Sequence, residues 1–185
     1  MRQGLWAWYF LPISFFKTHD VYIGQKPSIH FESSGTTGDV VSKHWVGDIG
    51  LYETSFNKCF ELFYGNPEEY CVIGLLPSYL ERAHSSLVYM VNHLIKQSSH
   101  ASSGFYLNEF EKLNTVLQEL EIKEQKTILI GVSFALMDFA DAFPQQLKYT
   151  IIMETGGMKG RRTEMIKPLL HAYLNERFGT SHIHS

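Results

Sequence analysis

From residue 51 onwards, apolar residues alternate between short continuous runs and segments with helical spacing. The continuous runs predict buried strands, because every side chain of such a strand lies against other protein. They cover 70–76, 127–130 and 149–153, and further strands are predicted at 28–32 and 181–184. The helical spacing predicts helices at 51–64, 85–96, 108–121, 135–143 and 163–178.

Strands that alternate with helices are joined by right-handed crossovers, which give a mainly parallel sheet with helices on both faces. The predicted fold class is therefore α/β. Ligands of such sheets bind at the carboxyl ends of the strands. The predicted loops at that edge are 76–79, 131–133 and 154–160.

Particular side chains predict the inner face, the start or the boundary of several helices. The apolar face of helix 51–64 is expected to comprise Phe56, Cys59, Phe60 and Phe63, and that of helix 85–96 Leu87, Met90, Val91 and Leu94. Asn108 followed by Glu111 predicts the N-cap of the next helix. The Ser-rich segment 97–104 predicts an exposed loop.

Composition narrows the class of protein. A length of 185 residues predicts one domain or a piece of one. The formal net charge of −3 gives no general attraction to nucleic acid or anionic membranes, so neither is an expected partner. Cys59 and Cys71 are too few for a disulfide framework, which predicts a cytoplasmic protein. Small core residues are the favoured interpretation of both, with a reactive thiol as the alternative. The apolar start at 5–11 is too short to span a membrane and lacks the pattern of a secretory signal.

The segment that follows the strand at 28–32 is rich in small residues that suit a phosphate group. Its glycines let successive amide N–H groups converge, and its hydroxyls can donate to the same acceptor. These residues are Ser33, Ser34, Gly35, Thr36, Thr37 and Gly38. Lys43 supplies a complementary positive charge. The spacing differs from the P-loop and from the dinucleotide fingerprint, so composition alone leaves a surface turn as an equal alternative.

A second candidate motif, Gly131-Val132-Ser133-Phe134-Ala135, follows an apolar strand and opens a helix, as a nucleophile elbow does. Possible triad partners downstream are Asp138, Asp141, His171 and His182. Ala135 stands where the elbow prefers glycine, and no oxyanion segment precedes the motif. A serine hydrolase using Ser133 is therefore the less favoured alternative. His182 and His184 share one side of a strand, but no zinc-site spacing accompanies them, so no metal site is predicted.

Four motifs, in order along the chain, resemble the adenylate-forming enzymes, the acyl- and aryl-CoA ligase superfamily. They are Phe10-Leu11-Pro12-Ile13-Ser14-Phe15-Phe16-Lys17, the six residues 33–38, Leu75-Leu76-Pro77-Ser78-Tyr79-Leu80-Glu81-Arg82, and Met153-Glu154-Thr155-Gly156-Gly157-Met158-Lys159-Gly160-Arg161. They are most similar to the acyl-protein synthetase branch, which contains the fatty-acid ligase of bacterial bioluminescence and is related to phenylacetate-CoA ligases. The resemblance runs from about Phe10 to the last residue.

The resemblance implies an ATP-dependent ligase that works with Mg²⁺. A carboxylic acid, in this branch a fatty acid, attacks the α-phosphorus of ATP, and the acyl group then moves to a thiol acceptor, a protein cysteine or CoA. By resemblance, residues 33–38 with Lys43 hold the ATP phosphates. Nucleotide and acyl contacts fall, again by resemblance, on Tyr79, Gly156, Gly157, Met158 and Lys159.

The chain also departs from the resembled family. The aromatic-Gly-x-Thr-Glu motif, the ribose-binding Asp and the small domain with the catalytic Lys, which follow in the family, are not present. We therefore expect residues 1–185 to form an incomplete N-terminal nucleotide- and acyl-binding domain that is inactive alone, with catalytic residues beyond Ser185. Neither Cys59 nor Cys71 is expected to accept the acyl group. A non-catalytic remnant that binds nucleotide or phosphate is the alternative.

Overall fold

The computed structural model describes residues 11–33, 40–77, 84–156, 158 and 160–185. The chain divides into two compact units, Met1–Ile49 and Gly50–Ser185. The first unit contains a short helix, α1 (Phe15–Thr18), and an antiparallel hairpin of β1 (Ile29–Glu32) and β2 (Lys43–Val46). In this hairpin Glu32 lies opposite Lys43, so opposite charges face each other across the strands. The strand at 28–32 is confirmed, whereas β2 was not predicted.

The second unit is built on a five-stranded parallel sheet with the strand order β4-β3-β5-β6-β7. Its strands are β3 (Cys71–Leu75), β4 (Gly104–Phe105), β5 (Thr127–Val132), β6 (Thr150–Thr155) and β7 (Ile183–His184). Its helices are α2 (Ile49–Tyr64), α3 (Ser86–Ser98), α4 (Phe110–Ile122), α5 (Ser133–Ala142) and α6 (Lys167–Phe178). A 3-10 turn at Pro67–Glu69 precedes β3. The predicted α/β fold with a parallel sheet flanked by helices is confirmed.

The core lies where the central strands meet the helices. Every residue of β3 and β5 is buried, which explains why these segments are continuous apolar runs. Helices add stripes at three- and four-residue spacing: Val91 and Leu94 from α3, Leu113, Leu117 and Leu120 from α4, and Leu170, Leu174 and Phe178 from α6. Each large apolar side chain buried in this way contributes about 1.5–3 kcal/mol.

Several predicted details are wrong. Helix α4 begins at Phe110 with Glu109 as its N-cap, so Asn108 does not cap it. On α2, Phe56 and Phe60 are buried but Cys59 and Phe63 are exposed, because only one stripe of the helix meets the core.

The Ser-rich segment is not simply an exposed loop. Ser98 ends α3 and is buried, and its hydroxyl donates to the Tyr70 carbonyl at 2.7 Å. Ser103 donates its hydroxyl toward Cys71 Sγ at 3.7 Å and accepts the Val72 N–H at 3.0 Å. Hydroxyls therefore satisfy polar groups at the start of β3, which is why small polar residues are needed there.

Helix α6 begins at Lys167, four residues later than the predicted start at Thr163. Pro168 occupies its first turn, where a missing N–H costs nothing. Residues 160–166, in the connection between β6 and α6, belong to neither a helix nor a strand. None of the helices in the described ranges has the length and apolar character needed to cross a membrane.

Candidate ligand cavity at the carboxyl edge of the sheet

A cavity of about 140 Å³ lies in the second unit where β6 ends, beside the start of α5 and the first turns of α6. Its position matches the carboxyl edge of a parallel sheet, the usual place for ligands in this fold class. Its lining combines polar groups with an apolar side. The lining residues are Ser133, Glu154, Gly156, Met158, Glu164, Met165, Lys167 and Leu170.

The Ser133 hydroxyl connects the start of α5 to the end of β6. It lies 2.5 Å from Glu154 Oε1 and 2.9 Å from the carbonyl oxygen of Gly156. A hydroxyl has a single proton, so it can satisfy only one of these acceptors fully, and the charged carboxylate is the stronger one. The other acceptor keeps a lone pair for a donor from a ligand or from water.

Glu154 is the buried acidic group of the cavity, with 4% of its surface exposed. Its second oxygen, Oε2, faces two nitrogens of α6: His171 Nε2 at 3.6 Å and Lys167 Nζ at 4.0 Å. His171 Nε2 is buried and makes no hydrogen bond within the described part of the chain. Because a buried carboxylate needs compensating donors, these cationic or ionisable groups stabilise Glu154 without saturating it.

The connection from 156 to 166, which we call the cavity loop, begins with a residue that requires glycine. Gly156 has φ +86°, a left-handed conformation that other residues rarely adopt. Further along the loop, the Arg161 N–H donates to the Met158 carbonyl at 2.9 Å, and the Arg161 guanidinium lies 4.9 Å from the centre of the Phe134 ring. Met158 is 1% exposed. This part of the loop is thus anchored on the helix that begins at Ser133.

Arg162 attaches the same loop to the outer part of α5. Its Nε donates to Asp138 Oδ1 at 2.7 Å and its Nη2 donates to Asp141 Oδ2 at 2.7 Å. Asp138 and Asp141 were candidate triad acids, and both are instead paired with this guanidinium.

The geometry of the elbow-like motif does not favour a serine hydrolase. Ser133 is hydrogen-bonded to a carboxylate and a carbonyl, whereas an elbow serine needs an imidazole that accepts its proton. The candidate His182 packs against His184 with ring centres 4.9 Å apart. Gly131 has a packing role, because a Cβ at this position would lie 2.6 Å from Leu136 side-chain atoms.

Of the predicted phosphate-binding residues, Ser33 and Lys43 are described, both in the first unit. The Ser33 N–H donates to the Ser42 carbonyl at 3.0 Å, and its Oγ accepts the Ser42 N–H at 3.0 Å. The Ser33 amide is thus used by the hairpin, although its hydroxyl proton is not required for either bond. Lys43 is exposed on β2. The remaining predicted residues Ser34, Gly35, Thr36, Thr37 and Gly38 lie outside the described residues.

The residues predicted to contact nucleotide and acyl groups are described only in part, and their contacts stay a prediction. Gly156 and Met158 both line the cavity, whereas Tyr79, Gly157 and Lys159 lie outside the described residues. Sequence reasoning missed the contribution of α6 and the end of the cavity loop, namely Glu164, Met165, Lys167 and Leu170. The signal was Pro168, which marks the start of a helix directly after the predicted ligand edge.

Comparisons of this chain with protein-family models, with curated proteins and with solved structures find no match.

Proposed function

We propose that this protein takes part in ATP-dependent activation of a carboxylic acid, as an acyl-activating ligase of the adenylate-forming type. The observation that carries the proposal is the cavity at the carboxyl edge of the sheet. Gly156 and Met158, from the motif at 153–161, contribute to its lining. The resemblance implies nucleotide and acyl contacts for this motif. The phosphate-binding role of residues 33–38 and Lys43 stays a prediction.

The chemistry of the lining supports such a ligand. Met158, Met165 and Leu170 offer apolar surface that suits an acyl group, while Ser133 and Lys167 offer donors. In the proposed reaction a carboxylate oxygen forms a bond to the α-phosphorus of MgATP, and the bond to pyrophosphate breaks. The protein's contribution is to hold the two reactants in line and to stabilise negative charge, which Lys167 can do as a cation at the cavity.

Binding of a stable acyl-adenylate mimic tests the proposal on the chain itself. An acyl-sulfamoyl adenosine contains the acyl and nucleotide parts joined by a linkage that cannot be hydrolysed easily. At a concentration one hundred times its Kd, such a ligand adds about 2.7 kcal/mol to the unfolding free energy, or roughly 5–10 °C in Tm. We expect a shift of this size in differential scanning fluorimetry, and a smaller shift with AMP.

Two substitutions assign the binding to the expected residues. Thr37→Ala removes a predicted phosphate donor, so MgATP binding should weaken by roughly 10- to 150-fold, the equivalent of one charge-assisted hydrogen bond. Lys167→Met should weaken binding of the acyl-sulfamoyl adenosine. Thr54→Ala and Lys58→Met, both at exposed positions of α2, are the matched controls. No Tm shift with either ligand at millimolar concentration would contradict the proposal.

The same experiment separates the alternatives. A phosphate-binding remnant would respond to MgATP and tripolyphosphate but would show no preference for the acyl-adenylate mimic over AMP. A hydrolase would be labelled at Ser133 by a serine-directed fluorophosphonate, which the Ser133–Glu154 contact disfavours.

A further inference from the structure

Arg162 lies between two residues of the cavity loop that line the cavity, Met158 and Glu164. Its side chain is 27% exposed and points back to α5, where it meets two carboxylates one helical turn apart. Asp138 and Asp141 are i and i+3 on this helix and therefore share a face. The guanidinium contacts Asp138 Oδ1 through both Nε and Nη2, at 2.7 and 2.6 Å, and its Nη2 also contacts Asp141 Oδ2 at 2.7 Å. A single planar side chain thus fixes both the position and the orientation of the loop.

Asp141 extends this contact to α6. Its Oδ1 accepts the Tyr173 hydroxyl and lies 3.9 Å from Arg177 Nη2. The hydrogen bond from Tyr173, followed by that from Arg162, holds the pKa of Asp141 below its usual value of 3.8. The carboxylate is thus charged at neutral pH, and it joins the cavity loop, α5 and α6 at one point.

Apart from those of Arg162, the contacts described for this loop include the Arg161 N–H bond to the Met158 carbonyl and the packing of Arg161 over Phe134. Residues 160–166 belong to neither a helix nor a strand. Four of the lining residues, Gly156, Met158, Glu164 and Met165, are on the cavity loop, so the volume of the cavity depends on where the loop lies. An irregular segment of this kind opens readily unless side chains tie it to regular structure.

We propose that Arg162 is a positioning residue, which holds the cavity loop on α5 through Asp138 and Asp141 and so preforms the cavity before a ligand binds. A planar guanidinium can engage both carboxylates at once, whereas a lysine ammonium at this position reaches one at a time. Arg162 touches no ligand in this proposal. Because Arg162 orders the loop in the free protein, the affinity for a ligand is not reduced by the entropy that the loop would otherwise lose on binding.

Amide hydrogen exchange of residues 160–166, read above all at the Arg161 N–H that donates to the Met158 carbonyl at 2.9 Å, tests the proposal without any ligand. In Arg162→Gln we expect exchange in this segment to accelerate by about tenfold or more, since a pair of charge-assisted hydrogen bonds is lost. Arg162→Lys should give an intermediate rate. Arg177→Gln is the matched control, because Arg177 also lies near Asp141 but is outside the cavity loop. In this variant the exchange rates at 160–166 should equal those of the wild type. Equal rates in Arg162→Gln and the wild type would overturn the proposal.

A second measurement separates positioning from a merely structural role. Asp138→Asn with Asp141→Asn should accelerate exchange at 160–166 as Arg162→Gln does, and the triple variant should add little, because all three residues act as one unit. Additive effects would overturn the proposal.

The inference rests on the proposed function only for the choice of ligand: binding of acyl-sulfamoyl adenosine should weaken by about tenfold in Arg162→Gln and partly recover in Arg162→Lys. If the wild type binds no such ligand, the ligase proposal fails, while the exchange rates still decide the role of Arg162.

Discussion

Cys59 and Cys71 show how the surroundings of a residue set its chemistry. Cys71 is fully buried at the start of β3, and burial raises the pKa of its thiol to about 11, against the opposing effect of a hydrogen bond from Ser103. The thiolate is the reactive form, so Cys71 is inert at neutral pH. Cys59 lies exposed on α2, which corrects the expectation that both cysteines are core residues.

Thiol labelling should therefore distinguish the two cysteines. In the native protein at pH 8 we expect iodoacetamide to modify one thiol, Cys59, while Cys71 reacts only after unfolding in guanidinium chloride. Cys59→Ser is the control and should abolish rapid labelling. Rapid modification of two thiols in the folded protein, read by intact mass, would show that the start of β3 is more open than this structure indicates.

At the scale of single elements, the turn from β5 into α5 depends on a residue without a side chain. A Cβ at Gly131 would lie 2.6 Å from both Cγ and Cδ2 of Leu136, a fully buried residue of α5. Gly131→Ala should lower the unfolding free energy by about 1–3 kcal/mol through overpacking. Gly104→Ala, in β4 of the same sheet, is the control, because a Cβ there meets no atom within 4 Å. Urea denaturation of the two variants measures the difference, and equal stabilities would contradict a packing role for Gly131.

The elements also show what the sequence can and cannot predict. Strands β3, β5 and β6 were located because strands in the middle of a parallel sheet need apolar residues along their length. Strand β4 was missed because only two residues, Gly104 and Phe105, pair with β3. A segment of two residues is too short to show the alternation of apolar and polar residues that predicts a strand.

The candidate site could also be predicted from the sequence only in part. Ser133 and the start of the cavity loop follow buried strands, so the topology rule placed them at the ligand edge. The pairing of Arg162 with α5 and the approach of His171 to Glu154 depend on how α6 packs, which local patterns do not encode. The start of α6, by contrast, had a local signal in Pro168, which favours the first turn of a helix.

At the scale of the whole molecule, stability should respond to pH in a range set by His184. Burial, and then the nearby His182, lower the pKa of His184 below its usual value of 6.5. The folded protein therefore binds this proton less tightly than the unfolded chain does. The stability associated with neutral His184 is fully present above about pH 6.5 and is lost as the pH falls from there through the lower folded-state pKa.

We expect the Tm to decline between pH 7.5 and 5.5 and His184→Asn to reduce that decline. Asparagine is suitable because its Oδ1 can replace Nδ1 as the acceptor for the Tyr64 hydroxyl, now 2.9 Å away. His19→Asn, at an exposed position of the first unit, should leave the decline unchanged. An identical pH profile in His184→Asn and the wild type would contradict this assignment.

One outermost strand of the sheet, β4, contains only two residues, Gly104 and Phe105. An unpaired strand edge offers a row of N–H and C=O groups on which another chain can add a strand, and the row here is too short to hold one in register. The long, hydrophobic strands are shielded in the middle, away from such encounters. The short β4 therefore protects this edge of the sheet from edge-to-edge pairing at high concentration.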